Sequence, residues 1–181
     1  MSTVIPSAVA SVSMLDAVRE AVAAVDDPEY PDVSIVDLGL LESLDVVGSR
    51  ATVGLIPTFS GCPALHMIAA DVAASVEAVT GIAECVVAWL PGPVWSTDRM
   101  SSAAARRLSD EYTVTLRRKD GGLRCPVCGS DAVTDQSMAG PTRCRSIAWC
   151  NTCRNPVEVM RTTNLVISIP DGNNQVRGGG A

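Results

Sequence analysis

The chain has 181 residues, 47% hydrophobic and only 3% aromatic, so it can bury a core, and that core must be built from Val, Ala, Leu and Ile. Its net charge of −6 is uneven: residues 1–116 carry 5 Lys/Arg against 15 Asp/Glu, and residues 117–161 carry 8 against 4. The acidic part is a poor binder of phosphate backbones, which need Lys and Arg, and the absence of any apolar run of about 18 residues argues against a membrane-spanning helix.

In chain order, residues 1–13 are small and Ser/Ala-rich and are expected to be loose. The opening MSTVIPSAVASVSML lacks the Lys/Arg start of a secretory signal. A cytoplasmic, reducing location is therefore expected, where thiols stay free. Leu15, Val18, Val22 and Val25 recur at the spacing of one helical face, which predicts a helix over 14–25. Asp26-Asp27-Pro28 stops it. Residues 33–47 read as extended, broken at Gly39, and 44–56 as a hairpin turning at Gly48-Ser49. Pro63 to Thr80 is the clearest helix, with Leu65, Ile68, Val72, Val76 and Val79 on one face and Gly81 as the stop. Residues 84–90 form another strand. In PGPVWSTDRM, Ser96 or Thr97 can cap a last helix over 98–108.

The order helix, two strands, helix, strand, helix predicts an α+β fold: a small two-layer sandwich over 14–116, with helices on one side of a short sheet. A cysteine-rich module follows over 123–161, and the tail 162–181, with DGNNQVRGGGA at its end, is expected to be largely disordered. No internal repeat is visible.

TFSGCPALHM, residues 58–67, places Cys62 between Gly61 and Pro63 at the predicted helix start. If Pro63 is the first helical residue, Cys62 caps the helix. Unpaired N–H groups and the positive dipole end then favour its thiolate. Thr58 and Ser60 can donate hydrogen bonds to that sulfur. Three readings stand open: a buried structural cysteine, a nucleophile paired with His66 one turn on, and a ligand to iron or an iron–sulfur cluster. One cysteine cannot hold a cluster alone, so the third reading needs further ligands or a homodimer. Cys85, in ECVVAWL, reads as core packing. Asp27, Glu29, Asp32 and Asp37 read as solvated loop acids with no acid–base pair.

Five of the seven cysteines fall within residues 125–153. CPVC (Cys125, Cys128) and CNTC (Cys150, Cys153) match a four-cysteine zinc ribbon, with iron as the main competitor. Each knuckle puts two sulfurs on one tight turn, and a domain this small gains its fold from the metal. Cys144 is left over, either a spare thiol or a poorer fifth ligand. Arg143, Arg145 and Arg154 flank the module as solvated charges, a protein dock or nucleic-acid contacts.

Taken together, DPEYPDVSIVDLGL (27–40), PTFSGCPALHMI, PVWSTDRM and the two knuckles resemble the PaaD (PaaJ) family of phenylacetyl-CoA epoxidase systems. The resemblance runs in order over about residues 14–160, and the first part is similar to the wider metal–sulfur cluster assembly domains. It implies an accessory iron–sulfur maturation factor rather than a catalyst. The implied client is the reductase component of a multicomponent phenylacetyl-CoA-type oxygenase, which carries a [2Fe–2S] cluster. It implies Cys62 as the reactive thiol, attended by Asp27, Glu29 and Asp37. Trp95, Thr97, Asp98 and Met100 become a partner loop, and Cys125, Cys128, Cys150 and Cys153 hold zinc, with a counterpart for Cys144. The sequence departs from the pattern after the last knuckle, where NPVEVMRTTNLV has no aromatic residue, and in its Gly-rich tail. Two other functions compete: a structural or catalytic oxygenase subunit, and a zinc-ribbon nucleic-acid binder.

Overall fold

The computed structural model describes residues 13–118 and 120–161. The expectations for residues 1–12 and for the tail from 162 lie outside those residues. The first helix, α1 (Met14–Ala23), begins where Ser13 accepts the Asp16 N–H and buries Val18 and Val22. It stops two residues earlier than the apolar spacing suggests. A short antiparallel pair follows, β1 (Asp26–Asp27) with β2 (Tyr30–Ser34). Between them the Asp27 carboxylate accepts the Glu29 N–H at 2.8 Å, which fixes the turn around Pro28.

The predicted hairpin is present and longer: β3 (Leu41–Val47) pairs antiparallel with β4 (Arg50–Leu55) around Gly48 at φ 61°. The second helix, α2 (Leu65–Glu77), buries Ile68, Val72 and Val76, and β5 (Glu84–Trp89) then pairs parallel with β4. The sheet order is β3-β4-β5. Cys85 is half-buried and packs against this core, as its strand position implies.

Two expected boundaries need correction. Pro63 is not the first helical residue: α2 starts at Leu65 with Ala64 as its cap, so Cys62 sits on a turn before the helix. The helix expected over 98–108 is split. A single 3-10 turn (Thr97–Arg99) is followed by extended Met100, and α3 (Ser102–Asp110) starts afresh with Ser101 accepting the Ala104 N–H.

Strand β6 (Val114–Thr115) ends the first part of the chain yet belongs to the second sheet. That sheet has the order β6-β9-β8-β7, with β7 (Val133–Ser137), β8 (Arg145–Cys150) and β9 (Pro156–Met160). Two cores result. One runs through α1, α2, the first sheet, Trp95 and α3, and also takes in Val114 and Met160; the other is a small set, Leu123, Cys125, Ala148, Cys150, Val157 and Val159. No helix among the described residues is long and apolar enough to cross a membrane.

Candidate metal centre and thiol site

The two knuckles are built alike. Cys125 C=O accepts the Gly129 N–H at 2.9 Å, and Cys150 C=O accepts the Arg154 N–H at 2.9 Å. The residue closing each turn has positive φ, Gly129 at 72° and Arg154 at 58°. Glycine adopts that conformation freely; arginine does so against the clash of its Cβ. The four Sγ atoms of Cys125, Cys128, Cys150 and Cys153 lie within 4.8 Å of one another. The Cys125–Cys153 and Cys128–Cys150 pairs are each 3.6 Å apart. A tetrahedral ion with metal–sulfur bonds near 2.3 Å separates its sulfurs by about 3.8 Å. The donor set therefore fits a four-thiolate metal site. Hydrogen bonds from Asn155 draw the Cys153 thiol down to about 6, toward the ligand form.

Cys144 is not a fifth member of that set. Its side chain is buried, and its thiol donates to Glu29 Oε2 at 2.8 Å across 115 residues of chain. Burial, reinforced by the Glu29 carboxylate, pushes the Cys144 thiol up to about 12. Around it the two parts of the molecule are pinned together. Arg145 Nε donates to the Tyr30 hydroxyl at 2.9 Å, while its other arm binds Glu158 at 2.6 Å. Arg161 N–H donates to Cys144 C=O at 2.8 Å, and its guanidinium stacks over the Phe59 ring at 5.2 Å.

Cys62 is half-buried on the Phe59–Cys62 turn, where its N–H donates to Phe59 C=O at 3.1 Å. Ser60 is exposed and Thr58 half-buried on the approach to that turn, and a Cβ at Gly61 would meet the Phe59 ring at 2.8 Å. The expected low-pKa thiolate is not what the surroundings produce. Burial raises the Cys62 thiol; the Ala64 N–H opposes this, and the charges of Glu29 and Asp27 add to it. The physical reason is burial of the sulfur, with the later helix start removing the cap position and the two carboxylates of the neighbouring β1–β2 turn adding to the effect. His66 is exposed on α2.

The acids divide into two groups. Asp27 is not a solvated loop acid: burial raises it to about 6. Asp37 lies elsewhere, bonded to Ser34 and lining an open recess of about 400 Å³ with Asp32 and Arg107 against α3.

Of the expected partner loop, Trp95 is turned into the core and Asp98 is exposed. Trp95 is 1% exposed, and its indole N–H donates to Leu38 C=O at 2.8 Å. Met100 packs partly against the same core, the Thr97 hydroxyl donates to Arg117 C=O, and Asp98 lies in the 3-10 turn. Arg99, which carries no motif signal of its own, donates to Gly39 C=O at 2.9 Å and to Glu42 at 2.7 Å. Gly39 has φ 76°, and a Cβ there would sit 2.5 Å from the Arg99 carbonyl oxygen. SIVDLG and WSTDRM are thus two halves of one internal clasp.

Residues 15–89 match a family described as iron–sulfur cluster assembly protein. Residues 109–161 match the PaaD zinc beta ribbon domain. An Escherichia coli (strain K12) protein named as a candidate component of 1,2-phenylacetyl-CoA epoxidase is 32% identical over 146 residues, 76% of this chain and 86% of the relative. The chain belongs to the PaaD family. A crystal structure of a domain of unknown function, DUF59, from Bacillus anthracis is similar to the first part. It is 31% identical with a TM-score of 0.50, covering 52% of this chain and 91% of that one. The PaaD ribbon match starts at residue 109, upstream of β6, in accord with β6 pairing inside the ribbon sheet.

Proposed function

We propose that this chain is an accessory iron–sulfur maturation factor for a phenylacetyl-CoA-type multicomponent oxygenase. It takes up iron or an iron–sulfur cluster as cargo at Cys62 and passes it to the reductase component, in a reducing cytoplasm. The observation that carries this reading is the setting of Cys62. It is a half-exposed thiol on a turn of the half that matches the iron–sulfur assembly family, with Glu29 and Asp27 close enough for their charges to act on it. A cation there meets negative charge and exchanges for the thiol proton, so cargo and proton compete for the same sulfur. The ribbon thiols hold zinc in a structural role, since four sulfurs close the coordination shell and leave no position for a reactant.

The test is cluster insertion into a cluster-free oxygenase reductase component under anaerobic conditions, followed by its visible absorption and its electron transfer. Wild type is expected to support insertion and Cys62→Ser to fail while keeping fold and ribbon metal. Full support by Cys62→Ser sinks the reading.

A second reading, a structural subunit of the oxygenase, is favoured by the naming of the Escherichia coli relative as part of an epoxidase. It requires stoichiometric retention in the active complex. Activity of the remaining cluster-loaded components without this chain rejects it. The nucleic-acid reading loses Arg145, whose guanidinium is engaged by Glu158 and Tyr30. A homodimer with one Cys62 from each chain is the arrangement a bridging cluster needs when no second thiol stands nearby.

A further inference from the structure

A second thiol, Cys144, lies on the other side of Glu29. Cys144 is 5% exposed and comes from the ribbon, but it faces away from the ribbon's metal ligands and toward the β1–β2 turn. Two links run from it to the Cys62 turn, one through the charge of Glu29 and one through contacts of Arg161. Glu29, which holds the Cys144 thiol at 2.8 Å, also acts electrostatically on Cys62. Arg161 is bonded to the Cys144 carbonyl and lies over Phe59, whose own carbonyl accepts the Cys62 N–H. The nearby guanidinium of Arg145 is held by Glu158 and Tyr30. The junction thus carries Cys144 bonded to Glu29, with Cys62 and Asp27 on the facing turns.

We propose that Cys62, Cys144 and Glu29 form an iron-binding cargo site at the junction of the two parts of the chain, with two thiolates supplied by one molecule. The inference rests on the reading above and names the ligands of that same site. Soft thiolates with one carboxylate suit ferrous iron. The proton now shared between Cys144 Sγ and Glu29 Oε2 occupies the place of a bridging cation. On binding, Fe²⁺ replaces the Cys144 and Cys62 thiol protons, both of which leave to solvent, and no electron is transferred. Among the described residues the four ribbon thiols are the only group of three or more possible ligands within 4.8 Å of one another. Filling the junction site therefore requires the Cys62 turn to close on Cys144.

The probe is Co²⁺, titrated anaerobically into the full zinc-loaded chain, with retained zinc counted after each step. Wild type is expected to bind one Co²⁺ without losing zinc and to show near-ultraviolet sulfur-to-cobalt absorption. That absorption should fall to about half in Cys62→Ser and in Cys144→Ser, because it scales with the number of bound thiolates, and vanish in the double variant. Glu29→Gln, which keeps both thiols, should weaken Co²⁺ binding about tenfold or more. Hydrogen-exchange protection and ribbon zinc report whether each variant folds; if Cys144→Ser does not, Glu29→Gln carries the test. Wild-type absorption unchanged in Cys144→Ser, or Co²⁺-driven dimerisation with one thiolate per chain, overturns the inference. If Cys62→Ser still abolishes client maturation in that case, the maturation reading stands and only the second ligand falls.

Discussion

The two parts of this chain solve the problem of stability differently. The first gathers a continuous apolar core from three helices and a three-stranded sheet. The second has six buried core residues, and two of them, Cys125 and Cys150, are metal ligands. A set that small cannot offset the entropy of ordering some forty residues, so the metal must do so. The same amino acid therefore takes opposite duties in the function proposed above: cysteine is architecture in the ribbon and chemistry at the junction.

The largest expected effect tests that contrast directly. Metal removal by a chelator, or Cys150→Ser, should withdraw about 10 kcal/mol or more of ribbon stabilisation. Hydrogen exchange would then show loss of protection over β7–β9 while β3–β5 remain protected. Equal loss in both parts breaks the comparison. Next comes Trp95→Ala, expected to destabilise the first part by about 3–5 kcal/mol through cavity formation and an orphaned Leu38 carbonyl. Thermal unfolding should shift for that part, with ribbon zinc retained.

Asp27 gives a smaller, pH-dependent effect. Its carboxyl is raised from 3.8 to about 6, so the folded state holds the proton more tightly than the unfolded chain. The associated stability is complete below about pH 4 and is lost as pH rises through about 6. Asp27→Asn should remove up to about 3 kcal/mol of that pH dependence, making the variant more stable than wild type at pH 8 but not at pH 4. Equal melting shifts at both pH values contradict the assignment. The smallest effect separates the knuckles: Arg154→Gly should gain up to about 1 kcal/mol by relieving the left-handed backbone that Gly129 already tolerates. Zinc-release midpoints in denaturant measure it.

Local pattern carries most of the fold. Val18, Val22, Ile68, Val72 and Val76 announce their helices by spacing, Gly48 announces the hairpin, and the paired knuckles announce a metal. What spacing cannot carry is contact between distant segments. Glu29 and Cys144 lie 115 residues apart, and no periodicity links them. The tryptophan loop shows the same limit: the resemblance implies a partner role for Trp95, yet its indole bonds a backbone carbonyl 57 residues away. Cys62 is legible as a special thiol, but its charge state is not, because a two-residue shift in the helix start removes the cap position and burial, with smaller help from the charges of Glu29 and Asp27, then raises the thiol.

Met160, the last residue of β9, is 1% exposed and belongs to the first core rather than the ribbon's own. A newly made chain therefore cannot finish that core until its C-terminal strand has emerged and the ribbon has acquired its ion. A polypeptide synthesised under metal starvation would carry an incomplete seam beside Val114 and expose it to proteases. Under the maturation function proposed above, the ribbon would then act as a checkpoint: only molecules that hold their own ion would persist to handle iron for another protein.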